Sequence, residues 1–208
     1  MISSRLHAIV DVDAAKRAGW APLDLARAFF AAGASLVQIR AKHLPSSSFL
    51  DLSDRVVEMA AAAGRSVIVN DRADIARMSQ AAGVHVGQDD LQPRDARAIV
   101  GPDAIVGYST HTIEQVRAAC TEPVSYIAVG PVFGTSTKDT GYQAVGLDLV
   151  SAAAKAAGPI PIVAIGGIKL ENARSVLDAG AAAVAVISDL LTNGDPEGRI
   201  AAYVQALA

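Results

Sequence analysis

Polar side chains alternate along one short segment in a pattern that suits the binding of an anion. Between Leu36 and Lys42, the residues Gln38, Arg40 and Lys42 occupy every second position, and in an extended strand such positions face the same side. An amide and two cations on one inward face are costly to bury, and an anionic ligand would compensate their charge. The alternative is that Arg40 and Lys42 pair with carboxylates of the protein itself.

Acidic side chains follow the next two apolar runs of the sequence. Asn70 and Asp71 come directly after one run, and Asp90 closes the polar stretch after the other. Carboxylate oxygens with open coordination positions suit Mg²⁺ that is shared with a phosphate. Asp71 and Asp90 are therefore candidate metal ligands, and Mg²⁺ is the expected cofactor. Capping of a helix N-terminus is the alternative role for either carboxylate.

Hydroxyl groups and a lysine occur in two later segments. Ser109 and His111 follow the fifth apolar run, and the stretch from Gly130 to Gly141 combines hydroxyls, glycines and Lys138. Such a stretch suits a loop that closes over a phosphorylated substrate, although a plain solvated loop is the alternative. A single histidine is more often structural, and the other three, His7, His43 and His85, show no metal-site spacing with it.

Paired glycines and a serine follow the last two apolar runs. Gly166 and Gly167 end one run, and Ile187 and Ser188 end the other. Exposed backbone N–H groups beside a helix N-terminus form phosphate sites in barrels with alternating strands and helices. This pattern indicates phosphate binding without specifying a reaction.

Short apolar runs alternate with helical patterns along the chain, and the runs are rich in Val and Ile, as strands buried on both faces are. The predicted strands are Leu6–Val10, Leu36–Ile39, Val67–Val69, Gly83–Val86, Ala104–Val106, Tyr126–Val129, Ile160–Ile165 and Ala183–Ile187. The apolar face of the last predicted helix comprises Ile200, Tyr203, Val204 and Leu207.

Strict alternation of strands and helices implies a parallel sheet with right-handed crossovers. Eight such units in 208 residues fit a closed (β/α)₈ TIM barrel, formed as a single domain over residues 1–208. An open doubly wound sheet is the alternative, but the first strand is not followed by its GxGxxG motif. In such barrels the carboxyl ends of the strands hold the active site, and the polar segments fall there.

Composition narrows the class of partner. A net charge of −3 argues against nucleic-acid binding, which needs a basic stripe. No apolar stretch reaches the roughly 18 residues that span a bilayer, and no signal peptide is seen, so neither a membrane nor secretion is expected. The single Cys120 fits a reducing compartment, and a cytoplasmic location is expected. The partners are small molecules, and a homo-oligomer is compatible with the sequence.

In their order along the chain, these segments resemble the thiamine phosphate synthase (thiamine-phosphate pyrophosphorylase) family, which is related to thiazole tautomerases. The likeness covers nearly the whole chain and rests on Val37–Lys42, Val69–Asp71, His85–Asp90, Gly107–Ser109, Gly130–Pro131, Thr135–Lys138, Ile165–Ile168 and Val186–Ser188. Members join a pyrimidinylmethyl diphosphate to a thiazole phosphate, and they release thiamine phosphate and pyrophosphate.

The resemblance implies three sets of ligand contacts. The pyrimidine diphosphate is expected against Gln38, Arg40, Lys42, Asn70, Ser109 and Lys138. The thiazole phosphate is expected against Thr135, Thr137, Gly167, Ile187 and Ser188. Asp71 and Asp90 are expected to bind Mg²⁺, and the catalytic residues are expected to be Arg40, Lys42, Ser109 and Lys138. Positive charge would stabilise the departing diphosphate where its negative charge develops.

Three positions depart from the family pattern. Ala41 stands where Glu is usual, Gly134 where Pro is frequent, and Val10 where Thr is common. None of them removes a predicted charge, so they bear on the level of activity more than on the fold.

Other functions fit parts of the pattern. A thiazole tautomerase would use a histidine after the fifth strand, a position that His111 fills, but such proteins tend to lose the Thr-x-Thr-Lys loop that Lys138 ends here. A sugar-phosphate isomerase or epimerase would need an acid–base pair that the sequence does not show. A non-catalytic barrel that binds a phosphorylated ligand is the remaining alternative, because a fold does not determine chemistry.

Overall fold

The computed structural model describes residues 4–134 and 143–208. Within these ranges eight strands pair in parallel and in chain order, and the last strand pairs with the first, which closes the sheet into a barrel. The strands are β1 (Leu6–Asp11), β2 (Leu36–Arg40), β3 (Ser66–Asn70), β4 (Gly83–Val86), β5 (Ile105–Thr110), β6 (Tyr126–Val129), β7 (Ile162–Ile165) and β8 (Ala183–Val186). The predicted (β/α)₈ barrel is therefore confirmed.

Helices connect the strands around the outside of the barrel. They are α1 (Val12–Arg17), α2 (Pro22–Ala31), α3 (Ser46–Ala62), α4 (Ala73–Met78), α5 (Pro93–Val100), α6 (Ile113–Ala119), α7 (Gly146–Ala157), α8 (Leu170–Asp178) and α9 (Pro196–Ala206). A 3₁₀ segment, Ser188–Gly194, lies between β8 and α9. No helix of the described chain has the length and apolarity needed to cross a membrane.

Alternation along the strands creates two apolar layers. Outward side chains such as Val37 and Ile39 pack against the helices. Inward side chains such as Leu36, Ile68 and Val163 fill the barrel itself. The interior is therefore a packed core, and the inward positions near the carboxyl ends of the strands form the floor of any site above it.

Two sequence predictions need correction. The fifth strand continues to Thr110 and does not end at Val106, so Ser109 lies inside a strand and its position is fixed by the sheet. In α9, Ile200 and Tyr203 are buried as predicted, but Val204 is 41% exposed. At 3.6 residues per turn, Val204 lies about 100° around the helix from Tyr203, so it falls at the edge of the buried face.

Candidate functional site

A cavity opens at the carboxyl ends of the strands, and it encloses about 760 Å³, part of which is open to solvent. Every strand contributes to its wall. Seven of the residues predicted from the sequence to bind substrates line it: Gln38, Arg40, Asn70, Ser109, Gly167, Ile187 and Ser188. The barrel thus brings together side chains that are far apart in the sequence.

Arg40 lies on the cavity wall and forms a salt bridge with Asp11 on the neighbouring strand. The two residues are direct register partners between β1 and β2. The second carboxylate oxygen of Asp11 accepts a hydrogen bond from the Ala14 backbone N–H at 2.8 Å, which caps α1. The alternative interpretation, pairing with a protein carboxylate, thus describes Arg40 in this structure. The pairing orients the guanidinium, whose other N–H donors can still bind an anion.

Lys42 lies at the rim beside the cavity and forms a salt bridge with Asp71. Asp71 follows β3 directly and has a φ of 65°, a conformation that Asp and Asn tolerate better than most residues. Its backbone N–H donates to the His85 carbonyl at 2.7 Å, so the pairing of β3 with β4 extends to this residue. Lys42 is therefore also paired with a protein carboxylate.

The carboxyl groups of Asp71 and Asp90 are neighbours. The pKa of Asp71 is raised, first by burial and then by the hydrogen bond and charge of Asp90, while Lys42 acts in the opposite direction. Asp90 accepts a hydrogen bond from the Gly87 backbone N–H at 2.8 Å, which closes the turn after β4. Neither carboxylate is the N-cap of a helix, because Arg72 precedes α4 and Gln92 precedes α5.

This pair meets one requirement of a divalent-cation site. Burial and the neighbouring Asp90 carboxylate raise the pKa of Asp71 although Lys42 pairs with it, and a bound divalent cation would stabilise both carboxylates in their charged form. Among the described residues, no group of three or more Asp, Glu, His or Cys side chains is arranged to hold a metal ion. Asp71 and Asp90 could therefore supply only part of a coordination shell, and phosphate oxygens and water would complete it.

Ser109 is held from two directions. Its hydroxyl lies 2.9 Å from Nε2 of His85, and its backbone carbonyl accepts a hydrogen bond from the Gln88 side chain at 2.6 Å. His85 belongs to a segment that carries the family resemblance, but it was not among the predicted site residues, and the structure places it in the cavity wall. The signal was present, because His85 alternates with Val84 and Val86 and so faces inward on β4.

His111 also lines the cavity. Its Nδ1 donates a hydrogen bond to the Gly130 carbonyl at 2.6 Å, because a carbonyl oxygen can only accept. This bond ties the end of β5 to the start of the loop after β6.

The loops after β6 and β7 are joined by backbone hydrogen bonds. Val132 N–H donates to the Ile165 carbonyl and Phe133 N–H to the Gly166 carbonyl, each at 2.9 Å. Gly167 has a φ of 66°, and a Cβ there would lie 2.6 Å from the Gly134 carbonyl oxygen. Only glycine fits this position, so the close approach of the two backbones explains the residue type.

Asp189 anchors the start of the 3₁₀ segment, directly after Ser188. Its buried carboxylate accepts hydrogen bonds from the Arg199 guanidinium, from the Tyr203 hydroxyl at 2.6 Å and from the Leu170 backbone N–H at 3.1 Å. One side chain thus joins the loop after β8 to α9 and to the beginning of α8. Asp189 was not among the site residues predicted from the sequence.

Three predicted site residues, Thr135, Thr137 and Lys138, lie outside the described residues. Their assignment stays a prediction of the sequence.

Comparison with known proteins gives a consistent picture. The thiamine monophosphate synthase family profile matches residues 6–190. A thiamine-phosphate synthase of Koribacter versatilis is 44% identical over 205 residues, which is 98% of this chain and 95% of that protein. One from Acidothermus cellulolyticus is 44% identical, over 95% of this chain and 92% of its own. A solved thiamine phosphate pyrophosphorylase of Pyrococcus furiosus is 27% identical, with a TM-score of 0.87 over 98% of this chain and 95% of that one.

Proposed function

Because the chain belongs to the thiamine monophosphate synthase family, we propose that it is a transferase that joins 4-amino-2-methyl-5-hydroxymethylpyrimidine diphosphate to thiazole phosphate. The products are thiamine phosphate and pyrophosphate. The observation that carries this proposal is the convergence of Gln38, Arg40, Asn70 and Ser109 with Gly167, Ile187 and Ser188 on one cavity. These two sets come from different parts of the barrel, and each suits one phosphorylated half of the product.

The arrangement suits a reaction in which the diphosphate leaves before the new bond forms. When the C–O bond breaks, negative charge grows on the diphosphate, and Arg40 on the cavity wall is placed to stabilise it. The thiazole nitrogen then captures the pyrimidine cation. Such a step depends on positioning and on exclusion of water more than on acid–base groups. The apolar side chains of Ile9, Ile165 and Ile187 in the cavity wall would help to exclude water from the reacting atoms.

We also propose that Asp71 and Asp90 bind Mg²⁺. When bound, the ion would neutralise charge on the diphosphate oxygens. The adjacency of the two carboxylates supports the assignment, and so does the raised pKa of Asp71. Lys42 lies on the same rim and would pair with the diphosphate or with Asp71.

Other roles stay proposals from the sequence. Thr135 and Thr137 would contact the thiazole phosphate, and Lys138 the departing diphosphate. The single Cys120 is compatible with a location in a reducing cytoplasm.

The direct test is incubation of the purified chain with both phosphorylated substrates and Mg²⁺. Thiamine phosphate and pyrophosphate should appear in equal amounts. Isomerisation of the thiazole phosphate without condensation would instead identify a tautomerase, and binding without turnover would identify a binding protein.

A second test addresses the metal. Asp71→Asn and Asp90→Asn should each raise the Mg²⁺ concentration that gives half-maximal turnover, while EDTA should abolish turnover of the parent. Asp89→Asn is the matched control, because Asp89 is an exposed acid in the same turn. If all three variants titrate with Mg²⁺ like the parent, the assigned ligands are wrong.

A further inference from the structure

A column of ring side chains occupies the barrel axis beneath the cavity. The imidazole of His85 stacks on the Tyr126 ring with centroids 5.6 Å apart. The imidazole of His7 packs edge-to-face with the same Tyr126 ring, with centroids 5.3 Å apart. Gly107 makes room for this column, since a Cβ there would lie 2.3 Å from the Tyr126 hydroxyl oxygen. The residues therefore form a fitted arrangement that connects the interior of the barrel to the floor of the cavity.

Hydrogen bonds run through this column towards the cavity. The Tyr126 hydroxyl lies 2.9 Å from Nδ1 of His85, and Nε2 of the same ring lies 2.9 Å from the Ser109 hydroxyl. Tyr126 is almost fully buried, whereas Ser109 lines the cavity. The chain of contacts thus begins in the core and ends at a group that a ligand can reach.

Burial fixes the direction of the first hydrogen bond. It raises the pKa of Tyr126, so the phenol keeps its proton. Within the described chain, the hydrogen-bond partner found for this hydroxyl is Nδ1 of His85. A buried O–H without an acceptor costs about 1 to 3 kcal/mol, whereas an acceptor with spare capacity is tolerated more readily. Tyr126 therefore donates to Nδ1.

The direction of the second bond follows from the first. A neutral imidazole that accepts at Nδ1 carries its proton on Nε2. Nε2 then donates to the oxygen of Ser109. Because that oxygen accepts from the imidazole, the proton of the Ser109 hydroxyl is left to donate into the cavity.

We propose that His85 and Tyr126 are positioning residues that set the Ser109 hydroxyl as a hydrogen-bond donor to an oxygen of the departing diphosphate. The proposal rests on the proposed function, since Ser109 shares the cavity wall with Arg40 and Asn70. A donor that is already oriented strengthens its bond as charge builds on the acceptor. Loss of the orientation therefore lowers kcat more than it changes KM.

The test variant is Tyr126→Phe, which removes only the hydroxyl and keeps the ring that fills the space beside Gly107. We expect kcat to fall about tenfold, the equivalent of one hydrogen bond, with the KM of both substrates within about twofold of the parent. In a Ser109→Ala background, Tyr126→Phe should alter kcat by less than about twofold, because the Tyr126 hydroxyl acts only by orienting the Ser109 hydroxyl, which is then absent.

A second readout needs no turnover. ¹⁵N NMR of the ligand-free parent should show His85 as the neutral tautomer with its proton on Nε2, and Tyr126→Phe should alter that signal. A proton on Nδ1, a kcat equal to that of the parent, or an equal loss in both backgrounds would overturn the proposal. If the parent forms no thiamine phosphate, the proposed function fails, whereas the tautomer still decides the direction of the hydrogen bonds.

Discussion

At the scale of single residues, the cations of the cavity mouth are held by protein carboxylates from adjacent strands. Arg40 pairs with Asp11 across β1 and β2, and Lys42 pairs with Asp71 across the ends of β2 and β3. An anionic substrate would therefore meet cations that are already oriented. Because each cation has a carboxylate partner, we expect its removal to lower the free energy of unfolding as well as the rate of the proposed reaction.

Arg40→Ala should lower turnover by about a hundredfold, the usual effect of losing a donor that stabilises developing charge. It should also lower the free energy of unfolding by about 1 to 3 kcal/mol, because buried Asp11 loses a partner. Steady-state kinetics and urea titration measure the two effects. The control is Arg27→Ala, which breaks an exposed pair with Asp24 and should cost less than about 0.5 kcal/mol. Parent-like turnover in Arg40→Ala would remove Arg40 from the proposed mechanism.

The titration of Asp71 offers a test that does not depend on activity. Its pKa is raised by burial and by Asp90 and is opposed by Lys42. Carboxyl ¹³C NMR of the metal-free protein should therefore show a lower Asp71 pKa in Asp90→Asn and a higher one in Lys42→Met. Because the metal needs the carboxylate form, Mg²⁺ affinity of the parent should weaken as the pH falls through the raised pKa. No change in either variant would mean that the three side chains do not interact in solution.

The sequence could predict which residues face the cavity but not how they pair. Alternation along β2 was enough to place Gln38 and Arg40 on one side. The partner of Arg40 is Asp11, which lies 29 positions earlier, and only the register of the closed sheet makes them neighbours. Pairing of Arg40 with a protein carboxylate was one of two alternatives at the level of the sequence, which carries no information on that register.

At the scale of elements, Asp189 holds three segments together. Its carboxylate binds Arg199 and Tyr203 of α9 and the first residue of α8. Ser188, which precedes it, lines the cavity. The position of the proposed phosphate site therefore depends on a contact made behind it.

Asp189→Ala should reduce the free energy of unfolding by about 2 to 4 kcal/mol, because it leaves the Tyr203 hydroxyl and the Arg199 guanidinium without their acceptor. The KM for thiazole phosphate should rise more than the KM for the pyrimidine diphosphate. Urea titration and kinetics measure both. Asp178→Ala is the matched control, since its pair with Arg174 is exposed. Equal changes in the two KM values would argue against a local role at the phosphate site.

The strands were easier to predict than the short helices. Val-rich and Ile-rich runs between polar segments gave all eight strands. The helix α1 was missed, because it has only six residues and follows β1 without a turn. Asp11 is both the last residue of β1 and the N-cap of α1. A helix of six residues is too short for a repeat of 3.6 residues to be recognised in the sequence.

At the scale of the whole molecule, the closed barrel buries a titratable group in its interior. Burial lowers the pKa of His7 to about 4, from an ordinary value of 6.5. Between these values the unfolded chain binds a proton that the folded chain excludes. The titration of His7 therefore does not change the free energy of unfolding above about pH 6.5, and it lowers that free energy as the pH falls from 6.5 towards 4.

The titration of His7 should lower the free energy of unfolding by about 3 kcal/mol between pH 7 and pH 4. His7→Leu should flatten the dependence of the unfolding free energy on pH in this window, as measured by urea titration at several pH values. The control, His43→Leu, removes an exposed histidine and should keep the pH dependence of the parent. The same slope in His7→Leu as in the parent would show that the barrel interior admits the proton.

The backbone hydrogen bonds between the loops after β6 and β7 bear on how the binding of one substrate affects the binding of the other. Phe133 is fastened to Gly166, while Val145 and Gly146 are fastened to Pro131 and Val132. Phe133 thus joins the loop after β6 to the residue before Gly167 of the proposed thiazole-phosphate site, and Val145 and Gly146 join the start of α7 to the same loop. We therefore expect the pyrimidine diphosphate and the thiazole phosphate to bind with coupled affinities. Binding of either one should change the dissociation constant of the other by the same factor.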